Sequence, residues 1–193
     1  MPLASVFCDS AQCSAIQPVG AAATYYDVLA GGPPTFDVDI ANLRRSFLRL
    51  QQAVHPDGFS QRGAAERGLA AAQSAWINHA YSTLKDPLPR ARYLLRLHGR
   101  EIGEDEQVGD PELLMEIMES REALEAATTE SRVANLRQCN NASLAHVVAD
   151  LGRAFGAGDL DSARRLTHRL QYLRRVAQAI DSWTPGRPVT VGQ

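Results

Sequence analysis

The sequence predicts an all-α protein made of two small helical domains. Three observations lead there. Apolar residues recur at spacings of three and four over most of the chain, and no stretch alternates apolar and polar as a half-buried strand would. The 10 Pro and 14 Gly cluster between those stretches rather than inside them. Aromatic residues make up 6%, low for a β-sandwich and ordinary for helices rich in Ala, Leu and Arg. With 193 residues, 45% apolar and 22% charged, the chain can bury a core and has room for one large domain or two small ones. It has no apolar run of about 18 residues, which argues against a membrane span. Three cysteines, Cys8, Cys13 and Cys139, are too few and too odd in number for a disulfide framework and fit a reducing compartment.

Residues 1–23 show no periodicity and read as an irregular tail. From Thr24 a short apolar turn, Tyr25, Tyr26, Val28 and Leu29, is closed by Gly31-Gly32-Pro33-Pro34. Asp37 or Asp39 then offers a cap for a helix whose stripe is Ile40, Leu43, Phe47, Leu50 and Val54. Pro56 disfavours helical geometry at His55, so this helix should end there. A second long helix spans Ala64 to Lys85, with Leu69, Ala72, Trp76, Ile77, Ala80, Tyr81 and Leu84 on its inner face. Pro87 and Pro89 are expected to break it before a short helix from Arg90 to His98, which Gly99 ends. Residues 100–106 read as a linker between a first domain, 24–99, and a second, 107–183; a tail, 184–193, follows.

In the second domain, Asp110-Pro111-Glu112 combines a cap, a Pro at the first helical position and an acid in the first turn. That helix should run to about Ala127. Another covers Ser131 to Phe155, with Leu136, Leu144, Val147, Val148, Leu151 and Phe155 inward. Gly156-Ala157-Gly158-Asp159 makes a turn and cap. The last helix, Leu160 to Trp183, should bury Leu160, Ala163, Thr167, Leu170, Leu173, Ala177 and Ile180. Together these make a three-helix bundle.

A net charge of −2 hides a partition. Residues 1–39 carry −4, residues 40–100 carry +7, residues 101–130 carry −10 and residues 131–193 carry +5. Segregation on this scale suggests separate surfaces for separate partners. The basic segment lies beside an equally acidic one and has neither an aromatic platform nor a base-reading motif, which weighs against nucleic-acid binding.

The informative motif is His55-Pro56-Asp57. The proline presets the loop backbone, holding an imidazole and a carboxylate outward at the end of a cationic helix. Arg44, Arg45 and Arg49 lie off that helix's apolar stripe and could steer an acidic partner surface toward the loop. No Ser, Cys or paired acid stands at a spacing that suggests a catalytic dyad or triad, so no enzyme is predicted. A basic helix, the tripeptide, a second helix of similar length and an opening Tyr25-Tyr26-Asp27-Val28-Leu29 resemble the J domain, the module that stimulates ATP hydrolysis by DnaK-type chaperones.

The acidic helix after Asp110 carries two apolar stripes. Taking Leu114 as zero and about 100° per residue, Leu113, Ile117, Ser120, Arg121 and Leu124 fall between about −120° and −20°. Leu114, Met118, Glu122, Met115 and Glu119 fall between about 0° and +140°. One antiparallel neighbour buries only one of these. A third bundle helix would cover the second; otherwise Leu114, Met115 and Met118 form an exposed patch rimmed by Glu119 and Glu122, which points to a partner. Tyr172 lies about 200° from Leu170, off the last helix's own stripe, with no evident core neighbour.

Further segments extend the resemblance. They are Ser74-Ala75-Trp76-Ile77-Asn78-His79-Ala80-Tyr81, Thr83-Leu84, Pro87-Leu88, Arg90-Ala91, Tyr93-Leu94-Leu95-Arg96-Leu97-His98-Gly99, Leu114-Met115-Glu116-Ile117-Met118-Glu119 and Leu170-Gln171-Tyr172-Leu173. Together, over residues 24–183, they are similar to the HscB-type (Jac-type) co-chaperones of iron–sulfur cluster assembly. The resemblance implies an amino-terminal J domain that binds a DnaK-type chaperone through His55, Pro56, Asp57, Arg44, Arg45 and Arg49. It also implies a carboxy-terminal bundle that holds the cluster scaffold protein through Leu114, Met115, Met118, Glu119, Glu122 and Tyr172.

Gly58 departs from the family, which usually has a larger residue there, often Lys. The segment around Cys8 and Cys13 resembles half of a zinc knuckle that some members carry. It has four intervening residues and no upstream pair, so neither a metal site nor a cofactor is expected. Cys139 is expected to be half-buried, and His79, His98, His146 and His168 lack ligand spacing. The family points to the mitochondrial matrix; residues 1–23, with no Arg or Lys, do not look like a transit peptide, which leaves the cytoplasm as the alternative. Two other functions fit the residues: a J-type adaptor for a basic client, or a helical nucleic-acid-binding protein.

Overall fold

The computed structural model describes residues 15–59, 62–103 and 111–185. Six α-helices form among them: α1 (Ile40–Ala53), α2 (Ala64–Lys85), α3 (Pro87–Leu97), α4 (Pro111–Glu125), α5 (Glu130–Ala157) and α6 (Leu160–Asp181). Chain contacts divide the molecule into two compact units, 1–90 and 91–193. The division falls within α3.

The first unit opens with a π-helical turn, Tyr26–Ala30. Thr24 and Asp27 start it reciprocally: the Thr24 hydroxyl and amide both donate to Asp27 Oδ2 at 2.7 Å, and the Asp27 amide donates to Thr24 Oγ1 at 3.2 Å. Gly31, at φ 70, closes the turn by donating to the Tyr26 carbonyl, in the left-handed region that glycine enters without penalty. Of the two candidate caps, Asp39 is the one used for α1, accepting from the Asn42 amide at 3.0 Å.

α1 and α2 pair as a hairpin. Leu43 and Val54 are buried, and Phe47 stacks on Tyr81 with ring centroids 4.1 Å apart. Gln51 Nε2 donates to the Ser74 carbonyl at 3.0 Å and the Ser74 hydroxyl returns a bond to Gln51 Oε1 at 2.9 Å. Ile40, expected inward, is 41% exposed in the first turn. Ala72 is also exposed: it lies at the edge of the α2 inner face, whereas Ala70 and Gln73 sit nearer its centre and are buried.

The tail is not wholly detached. Ile16 is buried, and the Gln17 carbonyl accepts from Gln73 Nε2 at 3.0 Å. Arg90 closes the unit: its guanidinium donates to the Leu84 carbonyl at 2.9 Å and lies over the Phe36 ring. Burial lowers its pKa, opposed by Tyr26, Asp37 and Asp86.

α3 starts earlier than the sequence predicts. Asp86 accepts from the Leu88 amide at 2.9 Å, and Pro87 takes the first helical position, where no amide hydrogen is needed. Pro89 also falls within the first turn, whose amides have no intrahelical partner. Asp110, the expected cap of α4, lies outside the described residues.

In the second unit, Thr129 caps α5 and Asp159 caps α6, the latter accepting from Ser162 at 3.0 Å. Those bonds lower the Asp159 pKa. Gly158, at φ 71, allows the left-handed turn between the two helices. Across that helix pair Asn140 Nδ2 donates to the Leu173 carbonyl at 3.1 Å. α4 completes a core of Leu113, Leu124, Val133, Tyr172, Val176 and Ile180. The prediction of an all-α fold with a three-helix second bundle holds. Cys139 is exposed rather than half-buried.

Candidate functional site

Each unit carries one candidate surface. In the first, α1 ends at Ala53 and Pro56–Phe59 form a 3₁₀ turn. The Gly58 amide donates to the His55 carbonyl at 2.9 Å, and Phe59 is buried, so the turn is anchored beneath while His55 stays exposed. Pro56 and Asp57 supply the backbone of this turn. Arg44, Arg45 and Arg49 are exposed on α1, off the face that meets α2.

Nothing lies within 4 Å of a Cβ built at Gly58, and its φ is not in the left-handed region. Gly58→Ala should therefore stabilise the protein by about 0.4–1 kcal/mol, chiefly by restricting the unfolded chain. A higher denaturant midpoint with an unchanged slope would verify this.

In the second unit, α4 turns Leu113, Ile117 and Leu124 toward α5 and α6. Its opposite stripe is open: Leu114 is 47% exposed, Met115 63% and Met118 61%. Glu119 and Glu122, both exposed, border them. The third bundle helix does not cover this stripe, because α4 is itself that helix and buries only one side.

Tyr172 is a correction. It is only 8% exposed and packs in the bundle core. Its hydroxyl donates to the Ile117 carbonyl at 3.1 Å. α6 has two neighbours, so it has two buried faces: Thr167 and Leu170 belong to one, and Tyr172, Val176 and Ala179 to the other. A single helical stripe accounts for only the first. Tyr172 thus lies beneath α4 and not on its outer surface.

Sequence reasoning also missed the Glu116–Arg169 ion pair, which fastens α4 to α6 across 53 positions. A cavity of about 190 Å³ opens beside it, with Glu119, Tyr172 and Cys139 on its wall. Cys8 and Cys13 lie outside the described residues. Among the described residues, no three His, Cys, Asp or Glu side chains are grouped as metal ligands would be, and no helix is long and apolar enough to cross a membrane.

Burial raises the Tyr172 pKa above its ordinary 10.0; the Ser120 hydrogen bond works against the rise and the Glu116 charge adds to it. A folded-state value above the unfolded one means the stabilisation is complete below the unfolded pKa and is lost as pH climbs through the folded pKa. Tyr172→Phe should therefore remove part of the alkaline loss of stability above about pH 10. Melting curves of both proteins across that range measure it, the other tyrosines being common to the pair.

A helical hairpin with a His-Pro-Asp turn, followed by a bundle with an exposed apolar strip, is the arrangement expected of a J-type adaptor. Comparison with known proteins makes this specific. Residues 109–181 match the family described as the HSCB C-terminal oligomerisation domain. The mouse iron–sulfur cluster co-chaperone protein HscB is 33% identical over 175 residues, covering 90% of this chain and 74% of the relative. The J-type co-chaperone Jac1 of Saccharomyces cerevisiae, mitochondrial by name, is 31% identical over 160 residues, covering 80% and 83%. The crystal structure of human HscB superimposes with a TM-score of 0.85 at 33% identity, covering 91% of this chain and 88% of that one. The chain belongs to the HscB/Jac1 family of iron–sulfur cluster co-chaperones.

Proposed function

We propose that this protein stimulates the ATPase of a DnaK-type chaperone and delivers the iron–sulfur cluster scaffold protein to it, promoting cluster transfer. His55, Pro56 and Asp57, with Arg44, Arg45 and Arg49, form the chaperone-facing surface. Leu114, Met115, Met118, Glu119 and Glu122 form the scaffold-facing surface, and Tyr172 supports it from below by holding the α4 backbone. The observation that carries the reading is the exposure of Leu114, Met115 and Met118 together on one face of α4, an apolar surface suited to a partner.

The protein itself does no chemistry in this scheme; ATP is hydrolysed by the chaperone. Linking the two surfaces in one chain raises the scaffold's local concentration at the chaperone. The yeast relative, mitochondrial by name, favours the mitochondrion, with the cytoplasm as the alternative. Neither nucleic acid nor a membrane is needed as a partner.

Single-turnover ATP hydrolysis by the chaperone tests the proposal, measured with this protein alone and then with the scaffold. The expected result is stimulation by the protein that rises further when scaffold is present. An unchanged hydrolysis rate in both conditions defeats it.

A further inference from the structure

We infer that Leu48 is an apolar anchor for the chaperone's ATPase domain, set in the cationic face of α1; this rests on the chaperone reading above. Leu48 is 53% exposed. It lies off the face that packs on α2, where Leu43, Phe47 and Leu50 point inward. At helical spacings of three and four its neighbours are Arg44 and Arg45 on one side and Gln51 and Gln52 on the other; all but Gln51, which is half-buried against Ser74, are exposed. His55 follows seven positions on, just past the end of α1 at Ala53.

A lone exposed leucine ordinarily means nothing. This one is flanked by Arg44 and Arg45, two of the side chains that would steer an acidic surface toward the protein, with Gln52 completing a polar border. Guanidinium groups confer encounter rate and orientation more than lifetime. A desolvated apolar side chain ringed by polar groups is what slows dissociation in small interfaces. The aliphatic stems of Arg44 and Arg45 extend the apolar footprint while their charged heads remain in water. The fitting partner surface is therefore an acidic patch with a shallow apolar recess at its centre, on the nucleotide-binding half of a DnaK-type chaperone.

The test titrates full-length protein into a purified DnaK-type ATPase and reads the concentration giving half-maximal stimulation. Leu48→Gln should raise it about tenfold while leaving maximal stimulation and salt dependence unchanged, because no charge is altered. Leu48→Met, which keeps the apolar volume, should stay within about twofold of the original. Circular dichroism melting shows that both variants are folded. If the unaltered protein stimulates and Leu48→Gln matches it within twofold, the inference is overturned and the chaperone reading stands. If the unaltered protein fails to stimulate, both are overturned.

Discussion

His55→Gln is expected to abolish stimulation of the chaperone's ATPase while leaving the protein folded. His55 is exposed at the end of α1. The contact that closes the turn runs through its backbone carbonyl, which accepts from Gly58 and survives the substitution. The stability change should thus be small beside the functional loss, about 1 kcal/mol or less. The functional loss should be much larger. A side chain at the centre of a small interface is commonly worth about 2 kcal/mol or more, on the order of 30-fold. Glutamine keeps hydrogen-bonding groups but loses the planar ring and the capacity to carry a proton. Single-turnover hydrolysis, read beside a melting curve, separates the two effects. A folded variant with full stimulation would remove His55 from the chaperone surface.

The second large effect concerns Leu114 and Met118. Replacing both with Ala should weaken scaffold binding by about 3 kcal/mol, on the order of 100-fold, from the apolar area no longer buried at the interface. Both side chains project away from the bundle core, and Ala is the better helix former, so the monomer should keep its stability. ATPase stimulation in the absence of scaffold should be unchanged, since α4 and the His55 turn lie in different compact units. A pull-down of the scaffold that is as strong as with the original protein would disprove the assignment. Glu119 and Glu122 belong to the rim: their neutralisation should alter the association rate and its salt dependence more than the lifetime.

Tyr172 does not belong in the same variant. Truncating a buried aromatic costs about 3–5 kcal/mol, and here it also removes the hydrogen bond to the Ile117 carbonyl. Loss of binding by Tyr172→Ala would therefore report a damaged bundle as much as a missing contact. Tyr172→Phe, which keeps the ring in the core, is the cleaner probe of its role.

Much of the fold was legible because helix signals are local. The α2 limits, Ala64–Lys85, are those the periodicity predicts. Asp39 and Asp159, both read as caps from the sequence, act through atoms three residues away; Thr129 caps α5 in the same way but was not singled out. The two-sided character of α4 followed from angle alone, and the open side is the one holding Leu114, Met115 and Met118. The start of α3 was misread because Pro87 was weighed as a breaker without Asp86 as its cap. Ile40 and Ala72 were misplaced because a stripe gives a direction and not how far the neighbouring core extends.

By itself, the sequence determined the helical class, the charge division and the His55-Pro56-Asp57 corner, since each depends on residues within a few positions of one another. Only the tertiary structure decided that Tyr172 is roofed by α4, that Arg169 meets Glu116 and that Leu48 is left in water. A helix with one neighbour buries one stripe and a helix with two buries two, and the number of neighbours is a property of the assembled bundle rather than of any segment within it.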